Sequence, residues 1–448
     1  MAEIVQLNVG QCGNAIGSQY WSKLIDEHSL NNQGEYIGNK DLCLDKVHVS
    51  FNENSKHVYS PRAILVDLEP SLIDDIRSGT YGNLFHCDNY VNGYTSAGKN
   101  WARGYYTEGR EIIEMIRDTL TKELEKCDRV HCLQINHSVA GGTGSGLTSL
   151  IISKIVDDHP GLMKISNTFY PTNDLESCPF ESYNAVLASM ELIENVEMVS
   201  VFDNKSLHNA CGRNISGTKH SLNEINDLAA LFISDTNAPM RLSGQINTNF
   251  LKIMHNIIPF PRLHYMVPKI SKINLNHSLK ESPESQLITS IFEKSRNLCS
   301  CNYTFSGSNY MTAYISCRGN LSLLELQKEG YAYRKKNEDM FAYWIQDSLH
   351  ISSTSIPSES LPRATCMGNK YEVYEVFNNI GHDFAELHQK KKYLHHYTDQ
   401  GMDPMEIIES ESTFNDLISE YQQCNGCCCN FESEGEYEEG EFDEEDDQ

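Results

Sequence analysis

The glycine-rich stretch at residues 140–146, AGGTGSG, restricts the fold of this chain more than any other segment. It follows a predicted strand at residues 130–137 and precedes a predicted amphipathic helix at residues 147–157. Further strand–loop–helix units recur as far as residue 205, beginning with a predicted strand at residues 3–10. Because such units join parallel strands through helices that cover the sheet, the sequence predicts an α/β fold with a parallel sheet.

The same stretch has the composition of a phosphate-binding loop. Glycines let the backbone approach a phosphate closely, and the start of the following helix offers free N–H groups. Gly141 and Gly146 have the G-x-x-x-x-G spacing of a P-loop, but Leu147 stands where that motif requires lysine. Backbone amides and a metal ion would then balance the charge. The alternative is a tight turn without a ligand. Four glycines in six residues, directly before a helix, make this alternative less favoured.

A neighbouring predicted strand, at residues 63–69, ends with two carboxylate side chains. Asp67 and Glu69 share one face of a strand because side chains repeat every two residues. Oxygen ligands at a strand end suit Mg2+, although a single acid is more often a helix cap or a solvated turn residue. A dinucleotide site is poorly supported, because the glycines near the N-terminus lack the G-x-G-x-x-G spacing (Gly10, Gly13 and Gly17).

Two asparagines further along the chain could recognise a guanine base. Asn204 follows an apolar run, and Asn226 lies in the sequence LNEIN. An amide both donates and accepts hydrogen bonds, as the guanine edge requires. On sequence alone, a turn or a helix cap is the simpler explanation of each.

Charge and cysteine content exclude several classes of protein. The 448 residues include 62 acidic and 36 basic side chains, a formal net charge of −26, which argues against non-specific nucleic-acid binding. No apolar run is long enough for a membrane span, and we expect no signal peptide. Fifteen cysteines then indicate reduced thiols in a cytosolic protein. A zinc site at residues 424–429 is less favoured than free thiols or lipid attachment, because no second Cys or His pair accompanies it.

The chain divides by composition into four parts. We predict a nucleotide-binding domain at 1–205, an intermediate domain at 206–381, a C-terminal helical region at 382–431 and an acidic tail at 432–448. Residues 236–280 contain six bases, four prolines and no acid, which predicts a loop-rich interface. Residues 383–397 and 405–423 are predicted as two helices. The tail carries eleven acids and no base, and such blocks of like charge stay disordered.

Five separated motifs resemble tubulin, and they follow the order of that family along the whole chain. They are GQCGN at 10–14, RAILVDLEP at 62–70, GGTGSG at 141–146, PFPRLH at 259–264 and NDLISEYQQ at 415–423. The resemblance implies a GTP-binding domain, a second α/β domain and C-terminal helices with a disordered acidic tail. It also implies GTP or GDP and Mg2+ as cofactors.

The resemblance assigns roles to ten positions of this chain. Glu69 would face Mg2+, and the loop residues would cradle the phosphates, with a hydroxyl from Ser138 nearby. Glu181 and Asn204 would lie near ribose and base, and Asn226 would bond guanine. The full set of implied nucleotide contacts is Gln11, Cys12, Glu69, Ser138, Gly142, Thr143, Gly144, Glu181, Asn204 and Asn226.

Lys252 makes the chain similar to the beta type of tubulin. Alpha chains carry a glutamate at this position, and they also carry extra residues near 357–365 that are missing here. The resemblance therefore implies an exchangeable GTP that is hydrolysed only in the polymer, with a glutamate from an alpha partner, and not a stand-alone enzyme. A self-sufficient, homopolymeric GTPase is the competing possibility, which the missing carboxylate near Lys252 disfavours.

Partners and location are likewise implied by the resemblance. We expect alpha-tubulin in a heterodimer, neighbouring tubulins laterally, and motors and microtubule-associated proteins on the acidic tail. The expected location is the cytoplasmic microtubule cytoskeleton, with the axoneme of a cilium or flagellum as an open alternative.

Several positions depart from the family pattern. Leu222 replaces a tyrosine that stacks on guanine, Ser177 replaces an aspartate, and Lys99 replaces an asparagine. The segment 273–283 is shortened, which leaves a specialised subunit with weak lateral contacts as an alternative.

Overall fold

A computed structural model describes residues 3–39, 43–172, 178–212, 221–244, 248–272, 282–301, 310–354 and 362–429. The side chains of residues 212 and 425–429 are not part of this description. The acidic tail, Ser177 and nearly all of the segment 273–283 lie outside these ranges, so their predictions stay untested.

Twelve strands lie in the described part of the chain, and ten of them form one sheet in the order β11-β10-β12-β9-β8-β7-β6-β1-β4-β5. The strands are β1 (Glu3–Val9), β2 (Phe51–Glu53), β3 (Tyr59–Pro61), β4 (Ala63–Asp67), β5 (Tyr90–Asn92), β6 (Val130–Ser138), β7 (Lys164–Tyr170), β8 (Met198–Asp203), β9 (Tyr265–Lys272), β10 (Tyr310–Arg318), β11 (Leu349–Thr354) and β12 (Arg363–Lys370). β2 and β3 form a separate antiparallel pair.

From β4 to β8, one α-helix separates each strand from the next. The helices are α1 (Gly10–Glu27), α2 (Pro70–Ser78), α3 (Glu108–Glu125), α4 (Thr148–Asp158), α5 (Phe180–Asn195), α6 (Asn204–Gly212), α7 (Leu222–Arg241), α8 (Phe250–Ile257), α9 (Pro283–Ile291), α10 (Leu323–Lys336), α11 (Tyr374–Gln389), α12 (His395–Thr398) and α13 (Pro404–Cys429). No described helix is both long and apolar enough to cross a membrane.

Strands β5, β4, β1, β6, β7 and β8 pair in parallel, which confirms the predicted α/β fold with a parallel sheet. Every residue of β1, β7 and β8 is buried, as expected for strands that helices cover on both faces. Because these strands are parallel, their carboxyl ends and the following loops meet at one edge. The glycine loop lies at this edge.

The second half of the sheet is mixed. β9 joins β8 in parallel through two residue pairs, and β12 is antiparallel to both β9 and β10. Strands β9, β10 and β12 are buried along nearly all of their length. An apolar cluster forms here, which includes Leu287, Ile315 and Phe341.

The prediction that residues 236–280 are rich in loops is wrong for much of the described part of that stretch. α7 continues to Arg241 with Pro239 inside it, α8 follows, and Pro268 lies within β9. Proline at 239 leaves the carbonyl of Asp235 without its helical N–H partner. The hydroxyl of Ser316 donates to that carbonyl at 3.1 Å, so the helix continues without an unsatisfied buried group.

The C-terminal helices differ from their predicted bounds. α11 begins nine residues before the predicted 383 and ends at Gln389, because Val376, Phe377 and Ile380 belong to the same buried face as Phe384. α13 covers the predicted 405–423 and extends beyond it. Both helices pack on α5, where Tyr183 contacts Phe384 edge-to-face.

A buried group of five charged residues, here named the five-charge cluster, joins the ends of α1 and α7 to β10 and β12. Its members are Glu27, Asp235, Arg241, Arg318 and Arg363. Arg318 Nη1 donates to Asp235 at 2.7 Å and to Glu27 at 2.9 Å. Arg363 forms a bidentate pair with Asp235, with both N–O distances 2.8 Å.

Candidate nucleotide site

A cavity of about 460 Å³ lies at the carboxyl ends of β1, β4 and β6. Of the ten site residues predicted from sequence, all within the described ranges, seven line it: Gln11, Cys12, Glu69, Ser138, Gly142, Thr143 and Gly144. Asp67 and Lys99 line it as well. The structure thus brings the predicted phosphate and metal side of the site together around one space.

The glycine loop forms this cavity with its backbone. A π-helical turn at Thr143–Leu147 leads into α4, so the amides of the loop belong to a helix start. A Cβ atom at Gly144 would lie 2.5 Å from the carbonyl oxygen of Ser138, closer than any side chain allows. The Ser145 hydroxyl donates to the carbonyl of Gly141 and closes the loop. Gly144 is therefore required for packing, whereas a Cβ at Gly141 would meet no atom within 4 Å.

The turn from β1 into α1 forms a second wall. Gly10 has a φ of +72°, a conformation that favours glycine, and a Cβ there would lie 3.2 Å from the amide nitrogen of Gly144. The buried amide of Asn14 donates to the carbonyls of Gly10 and Val66, at 3.0 and 2.8 Å. Asn14 thereby fixes the end of β4 against the start of α1, a role that the sequence analysis missed.

His137 supports the glycine loop from below. Its Nδ1 lies 2.8 Å from the carbonyl of Gly144, and its Nε2 lies 2.9 Å from the hydroxyl of Ser166. A carbonyl can only accept, so Nδ1 carries the proton and Nε2 accepts from Ser166. Burial lowers the pKa of His137 to about 4, with a smaller opposing effect of the hydrogen bond to Gly144. The imidazole is therefore neutral at physiological pH.

Asn184 connects the glycine loop to the loop that carries Lys99. Its amide nitrogen donates to the carbonyls of Lys99 and Ala140, at 2.8 and 2.9 Å. Its oxygen accepts from the backbone N–H of Trp101 and from the hydroxyl of Tyr397, at 3.0 and 2.8 Å. All four bonding positions of this fully buried side chain are used. The C-terminal helix α12 is thereby linked to the site.

A row of amides crosses the sheet beneath the cavity. Asn136 donates to Asn8 at 2.7 Å, and Asn167 donates to Asn136 at 2.8 Å. These residues occupy β1, β6 and β7, where a covered parallel strand would otherwise be apolar. Polar residues late in buried strands were a signal of the site that the sequence analysis did not use.

Asp67 and Glu69 present carboxylates to the cavity. The strand ends at Asp67, and Glu69 is the residue before α2, so they do not belong to one strand as predicted. The pKa of Asp67 is raised to about 6, mainly by burial; the backbone N–H groups of Glu69 and Leu68 oppose the shift, and the carboxylate of Glu69 makes a smaller contribution in the same direction as burial. Two carboxylates beside hydroxyl and amide groups form an oxygen-rich donor set that fits Mg2+, with Glu69 as the predicted ligand.

Cys12 lies on α1 at the cavity wall. Burial raises the pKa of its thiol to about 12, so the thiol stays protonated at neutral pH. Its neighbour Gln11 is exposed.

Glu181, Asn204 and Asn226 do not line this cavity. Glu181 lies in the first turn of α5, and Asn204 is the exposed first residue of α6. Asn226 is half-buried in α7, whose first residue, Leu222, is 71% exposed. Asn204 directly follows the carboxyl end of β8, and Glu181 lies on the helix after β7, whereas α7 follows α6. Their assignment remains a prediction.

A second surface lies at the opposite end of the parallel strands. The backbone N–H of Phe250 donates to His131 Nε2 at 3.0 Å, which fixes α8 beside the amino end of β6. Asn249 caps α8 by accepting the N–H of Lys252 at 2.8 Å, and Lys252 is exposed at the rim of a cavity of about 430 Å³. His131 and Ser138 are separated along β6 by roughly 23 Å at about 3.3 Å per residue.

The comparison with known families agrees with this geometry. Residues 3–212 match the GTPase domain of the Tubulin/FtsZ family, and residues 261–382 match the tubulin C-terminal domain. Together the two matches cover about three quarters of the chain. The GTPase domain implies that the chain binds GTP and GDP, and the pair of domains is that of a tubulin-like cytoskeletal protein. The chain therefore belongs to the tubulin family.

Proposed function

We propose that this chain is a beta-type tubulin, the subunit that binds exchangeable GTP and forms a heterodimer with alpha-tubulin. Glu69 holds Mg2+ in this proposal, and the amides of Gly142, Thr143 and Gly144 hold the phosphates. Mg2+ supplies charge neutralisation when it is bound. Asn204 and Asn226 recognise the base, and Glu181 lies near the ribose. The domain boundaries at 205, 381 and 431 belong to the same proposal.

The separation of the two surfaces is the observation that carries the proposal. The phosphate-side cavity lies at the carboxyl ends of the strands, and Lys252 lies beside their amino ends. Lys252 therefore cannot reach the nucleotide of its own chain. Stacking of subunits head to tail brings the α8 end of one subunit against the cavity of the next. Such a heterologous contact generates an open filament rather than a closed dimer.

The chemistry of the α8 end explains why a partner is required. Activation of a water molecule for hydrolysis needs a general base or a group that orients it. Lys252 is a cation, and residues 236–280 contain no acid, so this chain offers no carboxylate from α8 to the nucleotide of a neighbour. An alpha partner supplies a glutamate at that contact, and GTP on this chain is hydrolysed after assembly.

GTP turnover in defined mixtures tests the proposal. We expect the purified full-length chain to bind GTP but to hydrolyse it slowly, and to hydrolyse it faster on assembly with alpha-tubulin. Alpha-tubulin whose contact glutamate is replaced by alanine should assemble without that acceleration. Rapid turnover by the chain alone would contradict the proposal.

A substitution in α8 provides a converse test. Lys252→Glu places a carboxylate at the third helical position after Asn249, where a glutamate also favours the helix start. We expect this variant to accelerate hydrolysis of GTP bound to the subunit that it contacts. Lys122→Glu, on α3, is the matched control for the change in charge and should not accelerate hydrolysis.

Partners and location complete the proposal. The acid-rich residues 432–448 are suited to basic surfaces of motors and microtubule-associated proteins, because opposite charges steer such encounters. The location is the cytoplasmic microtubule cytoskeleton, and an axonemal, specialised subunit with weak lateral contacts is the alternative. Incorporation into microtubules of ordinary tubulin separates the two: efficient incorporation favours a general lattice subunit.

A further inference from the structure

The cavity at the glycine loop contains an unusual cation. Among the described residues that line it, Lys99 is the one basic side chain, and Asp67 and Glu69 are the acids. In the described part of the chain, the ammonium group of Lys99 forms no ion pair with either carboxylate, and the side chain is exposed. A cation at a phosphate cavity that is not neutralised by its own acidic neighbours is available to a ligand.

The backbone at Lys99 is held in a conformation that lysine rarely adopts. Gly98 and Lys99 have φ angles of +57° and +59°, so both residues are in the left-handed region. This region suits Gly98 but is unfavourable for a lysine, and such strain persists where the surroundings fix it. An asparagine would fit here better. Local backbone preference therefore does not explain the lysine.

The loop that carries Lys99 is packed directly against the glycine loop. A Cβ at Gly142 would lie 2.6 Å from the backbone nitrogen of Asn100, so the two loops are in contact. Asn184 donates to the carbonyl of Lys99, and the side-chain Nδ2 of Asn100 donates to the carbonyl of His396 at 2.9 Å. The backbone at Lys99 is thus fixed, and its flexible, exposed side chain lines the cavity.

We propose that Lys99 binds the terminal phosphate of the nucleotide and sets the preference of this site for the triphosphate over the diphosphate. The inference rests on the proposed nucleotide function and adds a specificity-determining residue to it. The glycine loop is followed by Leu147 where a P-loop has lysine, so the loop offers no positive charge to the outer phosphates. Lys99 supplies a positive charge from the facing loop. The ammonium donates charge-assisted hydrogen bonds to phosphate oxygens.

Three substitutions separate the charge of Lys99 from the strain of its backbone. Lys99→Arg keeps the charge, and Lys99→Gln removes it. Lys99→Asn removes the charge and also relieves the strain, because asparagine tolerates the left-handed region. Lys122→Gln, at an exposed site on α3 away from the cavity, is the control for loss of one positive charge.

The measurement is the dissociation constant of the full-length chain for GDP and for a non-hydrolysable GTP analogue, with Mg2+ present. We expect Lys99→Gln and Lys99→Asn to weaken binding of the analogue about tenfold or more and binding of GDP by less than about threefold. Lys99→Asn should also raise the melting temperature. Lys99→Arg and Lys122→Gln should bind both nucleotides as the wild type does.

Two results would overturn the proposal, and they differ from each other. If the wild type binds GTP and Lys99→Gln keeps the same ratio of analogue to GDP affinity, Lys99 does not contact the terminal phosphate and the proposed function stands. If the wild type binds neither nucleotide, the proposed function itself fails, and the role of Lys99 fails with it.

Discussion

The nucleotide cavity and the five-charge cluster are both polar regions within a largely apolar body, and they are built in opposite ways. Backbone amides, glycines and carboxylates face open space in the cavity. In the cluster, two carboxylates and three guanidinium groups bond to one another, and the side chains of Asp235, Arg241 and Arg318 are fully buried. Every charged group of the cluster has an oppositely charged partner, although Arg241 Nε and two nitrogens of Arg318 have no hydrogen-bond acceptor among the described residues. The cavity instead presents its polar groups to open space.

This difference separates a structural role from a binding role. Removal of charges from water costs several kcal/mol per ion, and only close partners offset it. Burial raises the pKa of Glu27, but Arg241 and Arg318 lower it more strongly, so the carboxylate stays ionised. The cluster ties α1 and α7 to β10 and β12, which belong to the second half of the sheet. The two halves are thus joined by charge as well as by the short contact of β8 with β9.

Loss of a carboxylate from the cluster should have the largest effect on stability. Asp235→Ala leaves Arg318 and Arg363 buried with one anion fewer, and we expect the free energy of unfolding to fall by about 3–5 kcal/mol. Chemical denaturation followed by circular dichroism measures it. Glu114→Ala, which removes an exposed partner of Arg117, is the control and should cost less than about 1 kcal/mol. Equal effects of the two substitutions would contradict the contrast.

Acid should destabilise both regions, because a buried neutral histidine lies beside each. Burial lowers the pKa to about 4 both for His28, which is next to Arg241 of the cluster, and for His137 below the glycine loop. An unfolded histidine titrates near 6.5, so between about pH 6.5 and 4 the unfolded state binds protons that the folded state does not. The stability that depends on these two histidines is therefore fully present above about pH 6.5 and is lost as the pH decreases towards 4.

His137→Asn tests the contribution of the cavity to this pH dependence. At pH 5 each histidine accounts for about 2 kcal/mol of lost stability. We expect the variant to lose about 2 kcal/mol less than the wild type between pH 7 and pH 5, whatever its stability at pH 7. If the free energy of unfolding of His137→Asn depends on pH as that of the wild type does, His137 is not a buried neutral histidine.

The glycine loop should tolerate a methyl group at one position and not at another. Gly144→Ala places Cβ against the carbonyl of Ser138, and relief of that overlap costs about 1–3 kcal/mol and moves the amides that face the cavity. We expect GTP affinity to fall at least about tenfold. Gly141→Ala meets open space and should preserve the fold, as a thermal melt of each variant will show. Normal GTP binding by Gly144→Ala would count against the assignment of this loop.

The smallest expected change in affinity concerns the residues predicted to bind the guanine base. Leu222 is 71% exposed at the start of α7, where a tyrosine stacks on guanine in the family. Leu222→Tyr should strengthen GTP binding by about 0.5–1.5 kcal/mol, which is a factor of roughly two to ten. Guanosine affinity isolates the base, because it excludes the phosphates. No gain for guanosine would place the base away from α7.

The phosphate side of the site could be predicted from sequence because its requirements are local. Glycine spacing, a strand before the loop and a helix after it are all visible along the chain, and the predicted loop residues line one cavity. His137, Asn14 and Asn184 escaped prediction because their roles depend on residues distant in sequence. Asn184, for example, bonds to Lys99 and to Tyr397, which only the folded chain brings together.

Prolines explain much of what the sequence analysis predicted wrongly in the second half of the chain. Pro239 and Pro268 indicated loops, yet they lie inside α7 and β9. A tertiary partner overrides the local preference at Pro239, since Ser316 satisfies the carbonyl that the proline leaves free. The five-charge cluster was likewise not predicted, because its members are spread from residue 27 to residue 363.

A structure of the full-length chain with Mg2+ and a non-hydrolysable GTP analogue tests the central claim most directly. The account predicts a triphosphate within hydrogen-bonding distance of the amides of Gly142, Thr143 and Gly144, with Mg2+ beside Glu69 and the five-charge cluster unaltered. A triphosphate bound elsewhere, or an empty cavity at a saturating concentration of the analogue, would contradict it.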